Sequence, residues 1–524
     1  MARASKSIIQ KFQALLGAEN VEQDEGLRKL LSQDLYEAGA VPDLVLIPRT
    51  TKHVSEIVKL ARKEKRSIHI RGGGMSYSRT FLPGKSSAIL LDMRELNDIR
   101  EINETDLYVT VEAGCTWKAL DETLMKKGLR AIFWGPFSGA TATIGGSMSQ
   151  GTANSNSSRL ETSSSAVLSY EIVTGTGDIL KTGSDGQGDN LPVMRNYGPD
   201  MTGLFSADAG ALGIKTAVIL KLEERPNFAG GVSFAFESEA KLLNGFFAAA
   251  RTDELNFIVG MDAETAQIRS GKTGFKEDLN RLKQIMSTAH NPITGLVRGL
   301  KIAFAGRRVF ERAQYTAHFL VEGNTQALLV AREKYLRKIL KAYGDEIPNA
   351  AISLMRADWF PPLPVTRFDG LRQLPFHTIL PPSRLKLFLP DYRQICDEFA
   401  DRFKKTGIIK AEIYNGIGTN KCLFEPVLYW PDTLNEFHRK MSSNFYQGDW
   451  QDHPDNPEAQ VNVQDFLDRF IALAHKHGGI NIQIGKLYPY SKNRQPENAR
   501  ALVDLKKQFD PDNIINPGAL GLPK

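Results

Sequence analysis

Cysteine is almost absent from this chain: Cys115, Cys396 and Cys422 are the three in 524 residues, and no two share a short spacing. That argues against a disulfide framework or a zinc site, and it suits a reducing compartment with the cytoplasm as default. Histidine is scarce too, nine in all and unclustered, so no metal is expected. No apolar run reaches the roughly 18 residues needed to cross a bilayer. The 66 basic and 60 acidic residues are scattered, without the basic stripe that grips nucleic acid. A net charge of +6 decides little at this size. Near the start, Arg3, Lys6 and Lys11 surround apolar Ile8, Phe12, Leu15 and Leu16 with no acid before Glu19. Helical periodicity reads this first as an amphipathic helix of the domain, with a mitochondrial transit peptide as the alternative.

What is present is an ordinary globular composition, 42% hydrophobic and 24% charged, in a chain too long for one core. Residues 50–130 alternate between elements: a helix capped at Thr51, a strand Ile68–Arg71, a strand Ala88–Asp92, a strand Leu107–Glu112 and a helix closed by Gly128. Residues 167–182 read as a hairpin turning at Gly175-Thr-Gly177-Asp178. Beyond Pro226 the pattern changes. Strands at 231–236, 255–261, 315–322, 376–380 and 408–414 alternate with helices at 239–250, 326–343 and 391–405, which predicts an antiparallel or mixed sheet with helices on one face. The basic and apolar stretch Leu296–Phe310 reads as a cap-domain helix, with peripheral membrane contact as the alternative.

Three glycine-rich tracts carry the chemistry. Arg71-Gly-Gly-Gly-Met-Ser-Tyr77 follows a strand directly, and consecutive amides unshielded by side chains make an anion-binding nest suited to a pyrophosphate. Its spacing is not a Rossmann fingerprint. Gly135-Pro136 and then Ala140-Thr-Ala-Thr-Ile-Gly-Gly146-Ser-Met-Ser-Gln-Gly151 allow backbone to approach a flat ring or a phosphate. Gly203-Leu-Phe205 and Gly210-Ala-Leu-Gly213-Ile form the third.

In this order, with Val111-Glu-Ala-Gly114 between the first two and Phe509-Asp-Pro-Asp-Asn-Ile-Ile-Asn-Pro-Gly518 at the end, the tracts resemble the FAD-binding half of the vanillyl-alcohol oxidase / p-cresol methylhydroxylase (PCMH) family. The resemblance covers roughly residues 38–226 and 475–520. It implies an α+β, two-domain PCMH-type FAD-binding fold with an inserted α+β cap (substrate) domain: residues 1–227 for FAD, 228–474 for the cap, and 475–524 returning to the FAD domain. It also implies that Arg71, Gly72, Gly73, Gly74, Met75, Ser76 and Tyr77 hold the pyrophosphate. Pro136, Thr143, Gly145, Gly146, Ser149 and Gln150 would line the flavin, Gly210 and Ile214 would offer backbone contacts, and Asn516 would reach it from the tail.

Two departures from the family pattern matter. Members that attach flavin through the first loop carry histidine where this chain has Met75, so FAD should be non-covalent; Cys115 as a thiol linkage is set against a buried, inert cysteine. Hydroxy-acid dehydrogenases of the superfamily have a Glu-His pair before a Gly-Ile-Gly, where this chain has Tyr414-Asn415-Gly-Ile-Gly418. Asn cannot act as a base at neutral pH. The candidates for handling the substrate proton are then Tyr414, His377, Tyr488, Tyr490 and Arg494, the last three resembling a phenolate-binding Tyr-Arg segment. Arg494, and after it Arg367, is the expected partner lowering the Tyr414 phenol.

The expected activity is hydride removal from a small organic substrate, an aromatic alcohol or phenol foremost, bound between the domains. A 2-hydroxy-acid (D-lactate or glycolate type) dehydrogenase and a non-catalytic flavin-binding protein are the alternatives. The electron acceptor (oxygen, a quinone or a cytochrome) and the oligomeric state stay open. Because Met75 cannot form the histidyl bond, acid precipitation of the purified protein should release its FAD into the supernatant; flavin retained in the pellet would show a covalent link.

Overall fold

Near-continuous apolar runs build the first sheet, as expected where parallel strands are covered on both faces. The computed structural model describes residues 6–188, 191–270, 313–361, 365–367, 369–442 and 451–524, so Arg3 and the stretch 296–310 lie outside the described residues. Strands β1 (Val21–Glu22), β2 (Leu44–Leu46), β3 (Ile68–Arg71) and β4 (Ile89–Asp92) lie in the order β1-β2-β4-β3. The last three are parallel to one another. Helix Thr51–Lys63 crosses from β2 to β3 and buries Val54, Ile57, Val58 and Ala61 completely. Its cap is Thr50 rather than Thr51, with the Thr50 hydroxyl accepting from the His53 amide at 3.1 Å. The amphipathic helix Lys6–Leu16 packs Phe12 and Leu16 into the same core.

The second sheet is antiparallel: β5 (Ile99–Asn103), β6 (Tyr108–Glu112), β7 (Leu129–Ala131), β8 (Val167–Val173), β9 (Ile179–Lys181) and β10 (Ile214–Glu224), in the order β5-β6-β10-β8-β9 with β7 also on β10. The β8–β9 hairpin turns at the anticipated 174–178 segment, where the Thr174 amide donates to the Asp178 carbonyl.

The third sheet has eight strands, all antiparallel: β11 (Phe228–Phe236), β12 (Phe257–Asp262), β13 (Tyr315–Gly323), β14 (Asp345–Ile347), β15 (Arg372–Pro375), β16 (Thr378–Leu380), β17 (Ile409–Ile417) and β18 (Lys421–Trp430). One face packs on helices Glu239–Ala250, Gln326–Leu340, Pro382–Thr406 and Pro457–Lys476 in one large aromatic core. The third of these differs from the expected 391–405: it runs through Pro390. A proline inside a helix forfeits one hydrogen bond and kinks the axis. Here burial of Leu385, Phe388, Leu389 and Tyr392 on one face offsets that cost. Strand β18 had no counterpart in the sequence reading, because Gly416-Ile-Gly418 was read as a family motif rather than as the approach to a hairpin turn.

The C-terminal segment returns to β3. The Ile68 amide donates to the Ile514 carbonyl and the Asn516 amide to the Ile68 carbonyl, both at 2.7 Å. Lys506, almost fully buried, pins this return by donating to Asp510 at 2.6 Å and to the carbonyls of Ala211 and Ile515 at 2.7 Å.

The structure corrects the role expected of Tyr414. Its ring is fully buried in the helix-facing core, the side of β17 away from the first two sheets. The hydroxyl donates to Glu239 at 2.5 Å, and Arg393 reaches it at 3.4 Å. Burial pushes the phenol well above its usual range, and the Glu412 and Glu239 carboxylates push the same way, against Arg393. The neighbouring arginine is thus Arg393, not Arg494 or Arg367, and it is itself held by both carboxylates. A phenol in that setting keeps its proton. Tyr414→Phe should therefore destabilise the fold by about 2 kcal/mol, the scale of a lost hydrogen bond to a charged group, and leave the rate of flavin reduction unchanged. Denaturant titration and anaerobic stopped-flow check the two halves.

Candidate functional site

The triple-glycine loop leaves β3 with no side chain in its path. A Cβ on Gly72 would lie 2.2 Å from the Thr143 hydroxyl, and one on Gly73 would lie 2.0 Å from the Thr141 carbonyl. The first two glycine tracts therefore touch backbone to backbone. Gly74, at φ +77°, makes the left-handed turn, and its Cβ would strike the Arg71 guanidinium. Among the described residues, the amides of Gly73, Gly74 and Met75 donate to nothing. Three successive unclaimed N–H groups form an anion nest.

Beneath the loop, Arg71 is 1% exposed, lies against the rings of Phe81 and Phe437, and donates to the Gly72 carbonyl at 3.0 Å. Its Nε has no partner, and burial lowers the guanidinium to about 10. A buried cation beside a donor-rich loop calls for an anion. The Met75 side chain packs with Leu35, Val365 and Phe437. Ser76 and Ser78 share a hydroxyl contact at 3.2 Å, and Ser78 passes it on to Thr80 at 2.9 Å.

In the second tract, Pro136 leads a 3-10 turn and Thr143 caps helix Ile144–Gln150, accepting from the Gly146 amide at 3.4 Å. Gly145 rests on Ala113, whose methyl a Cβ would meet at 2.6 Å, whereas Gly146 is exposed. The Ser149 carbonyl accepts from Ala209, and the Gln150 amide group donates to Thr80. Among the described residues, the carbonyl oxygens of the Gln150 and Asn154 side chains and the Ser158 hydroxyl are buried without partners. In the third, Gly210, at φ +67°, donates to Asp208, which pairs with buried Lys215 at 2.7 Å. Ile214 lies in the ladder opposite Val173 with its side chain in the first-sheet core. Asn516 donates to the Ala209 carbonyl at 2.7 Å and lies 3.3 Å from His69. Cys115 sits in the second-sheet core, where burial pushes its thiol up to about 12, so it is an inert thiol.

The other face of the third sheet meets the FAD-binding half. Val259, Met261, Ile413 and Val427 pack with Trp134, Phe137 and Trp359, and Leu423, Ile417 and Ile379 pack with Ala153 and Ile482. Polar groups interrupt this apolar wall. Gln373 donates to the Tyr77 hydroxyl at 2.8 Å, tying the nest loop to β15. The His377 amide donates to the Tyr488 hydroxyl at 3.1 Å, and the two rings meet edge to face at 5.4 Å. Burial lowers His377 to about 4, and its Nε2 accepts from the Ile482 amide at 3.2 Å, so the imidazole is neutral and poorly suited to act as base. Arg494 is exposed and stacks on Tyr490 at 4.2 Å, apart from Tyr77 and Gln373. Of the five proton-handling candidates, the structure thus brings only His377 and Tyr488 to the cap face. Glu425 and Tyr429, also on this face, were missed. The available signal was a carboxylate set within the apolar run Cys422–Trp430.

The buried Arg71 charge, the unclaimed amides and the partnerless groups of residues 150–158 suit a ligand with a diphosphate and a polar ring edge, which is what FAD presents. When bound, FAD supplies a two-electron acceptor. The nest with Arg71 would hold its pyrophosphate, and residues 143–158 would lie along the rest.

Known proteins agree with this geometry. Residues 42–183 match the family described as FAD binding domain. A mitochondrial D-lactate dehydrogenase [cytochrome] of Kluyveromyces lactis is 31% identical over 194 residues, 37% of this chain and 32% of that protein. The glycolate oxidase subunit GlcD of Bacillus subtilis is 28% identical over 225 residues, 42% of this chain and 46% of that one. The chain thus aligns with less than half the length of either. Among solved structures, p-cresol methylhydroxylase superposes with a TM-score of 0.73 at 16% identity, covering 99% of this chain and 96% of that one. An alkyldihydroxyacetonephosphate synthase gives 0.70 at 16% identity, covering 98% and 85%. Residues 42–183 thus match the FAD binding domain family, and the whole chain has the fold of p-cresol methylhydroxylase. Its cofactor is FAD.

Gly73→Val should abolish FAD retention, because any Cβ there collides with the Thr141 carbonyl and the loop must then leave its place above Arg71. The flavin-to-protein absorbance ratio of the purified variant checks this; a folded variant with normal flavin content would reduce the loop to a plain turn.

Proposed function

We propose that this protein is an FAD-dependent oxidoreductase that removes hydride from a small alcohol or phenol, aromatic substrates foremost, held between the third sheet and the glycine tracts. The observation that carries the reading is the pair of phenols converging on the cap face from different parts of the chain. Tyr77 and Tyr488 each accept one N–H, and neither O–H has an acceptor among the described residues. Two O–H donors, Tyr77 packed with Leu35, Val365 and Phe437 and Tyr488 with Ile484 and Leu520, are suited to grip a substrate oxygen and to stabilise charge growing on it as hydride leaves. The wall of Trp134, Phe137, Trp359 and Val259 excludes water and suits an aromatic body.

The named relatives favour a second reading, oxidation of a 2-hydroxy acid. Against it stands the local chemistry. Tyr414-Asn415 occupies the Glu-His position, Tyr414 is locked in an ionic network, and no group of three or more metal-ligating side chains occurs among the described residues.

Anaerobic mixing with a panel of aromatic alcohols, alkylphenols, D-lactate and glycolate separates these readings by which member bleaches the flavin band. Bleaching by the aromatic members, unchanged after chelator treatment, is expected. Bleaching by the hydroxy acids alone, lost to chelation and restored by zinc or manganese, would overturn the proposal, and no bleaching by any member would favour a non-catalytic flavoprotein.

A further inference from the structure

Glu425 lies on the face of the third sheet that also carries Gln373, the residue tied to Tyr77. In β18 the side chains alternate: Cys422, Phe424, Leu428 and Trp430 enter the helix-side core, while Leu423 and Val427 enter the wall facing the FAD-binding half. Glu425, opposite Ile413 in the ladder, falls on that second face between two apolar neighbours and is half-buried. Across the ladder, Gln373, which is tied to Tyr77, faces Tyr429, and His377, which is tied to Tyr488, precedes Thr378 opposite Phe424. Burial raises both the Tyr77 and Tyr488 phenols, and the Glu425 charge raises both further, with Tyr429 and Asp34 adding to the effect on Tyr77. A single carboxylate is therefore within electrostatic reach of both hydroxyls proposed to hold the substrate oxygen.

We propose that Glu425 is the catalytic base of this site, accepting the substrate's hydroxyl proton as hydride leaves the adjoining carbon for FAD. The inference rests on the reading given under the proposed function. In the step the C–H bond breaks with both electrons leaving as hydride. The O–H bonding pair becomes the second bond of the carbonyl, or of the quinone methide when the carbon is para to a phenol, and the proton passes to the Glu425 carboxylate. The substrate is oxidised by two electrons and FAD is reduced by two. Tyr77 and Tyr488 donate to the oxygen, and Glu425 accepts from it. Division of donors and acceptor in this way matches a neutral hydroxyl. A carboxylate at this position also repels an anionic substrate, since like charges brought together in a partly buried site disfavour one another.

Two measurements on the FAD-loaded protein test the base. In the first, Glu425→Gln and Glu425→Asp are mixed anaerobically with the substrate found to bleach the wild type. General-base help is worth about 10²–10⁴ in rate. Glu425→Gln should slow reduction by about a hundredfold or more at normal flavin content, and Glu425→Asp should fall between. Reduction by Glu425→Gln at the wild-type rate overturns the proposal. Should that variant lose FAD, Glu425→Asp decides, and a wild-type rate in it is the overturning result. The second measurement needs no turnover: 4-nitrophenol is bound and its ionisation followed by absorbance. A carboxylate at the hydroxyl opposes the phenolate, so the bound probe should ionise at a pH lower by about one unit or more in Glu425→Gln than in wild type. Equal values in both proteins place Glu425 away from the substrate oxygen and overturn the proposal. If no panel member bleaches wild type, the functional reading has failed, and the probe still reports separately whether Glu425 lies at the site.

Discussion

Gly73 meets the Thr141 backbone and Gly72 the Thr143 side chain, and the site is organised around that contact. It brings the end of a parallel strand in the first sheet against the helix cap of the second tract. The amides of the loop are left without acceptors, and a buried arginine lies beneath them with one nitrogen unpaired. Each of these features costs stability in isolation. Together they describe a place where an anionic group replaces the missing partners, so cofactor binding and the folding of this junction are thermodynamically linked. The C-terminal return, held by the buried Lys506–Asp510 pair, lays Ile514–Asn516 along the same strand and stiffens the loop from the other side.

The third sheet divides its chemistry between two faces. Toward its helices it sequesters a charged network, Glu239, Arg393, Glu412, Lys410 and Tyr414. Burial pushes the Glu412 carboxyl up, but Lys410 and Arg393 win and bring it to about 2, so this carboxylate stays ionised across the physiological range. Toward the FAD-binding half the sheet is mostly apolar and offers a few polar groups, Gln373, Glu425 and Tyr429. The period of two along a strand makes this separation possible, since neighbours in sequence point to opposite sides. A tyrosine next to a motif position can then belong to the structural face while the reacting groups sit one residue away or on the adjoining strand.

The parts legible in the sequence were those governed by local rules. Glycine tracts, strand ends and amphipathic helices depend on backbone permissiveness and periodicity, which a short window contains. Helix Glu239–Ala250 and the β8–β9 hairpin fell where periodicity and turn residues placed them. The nest was visible because three successive glycines after a strand have few other uses, and the absence of histidine at Met75 spoke directly to how FAD is held. Boundaries were less secure: the helix expected near 391–405 begins at Pro382 and runs through Pro390, since a single lost hydrogen bond is outweighed when the whole face is buried.

What only the tertiary structure decided was which side chains share a face and a charge environment. Tyr414 and Glu425 lie on adjacent strands, and nothing local distinguishes a tyrosine that faces carboxylates in a core from one that faces a substrate. Arg393 was anonymous in the sequence because its partners, Glu239 and Glu412, are far away along the chain. The contacts of Tyr77 with Gln373 and of Tyr488 with His377 likewise join segments far apart in the chain. The sequence by itself determined the cofactor loops, because backbone approach is written in glycine. Which side chains could handle a proton was a matter for the fold, because acidity depends on burial and neighbouring charge, and those are set by residues that are distant in sequence.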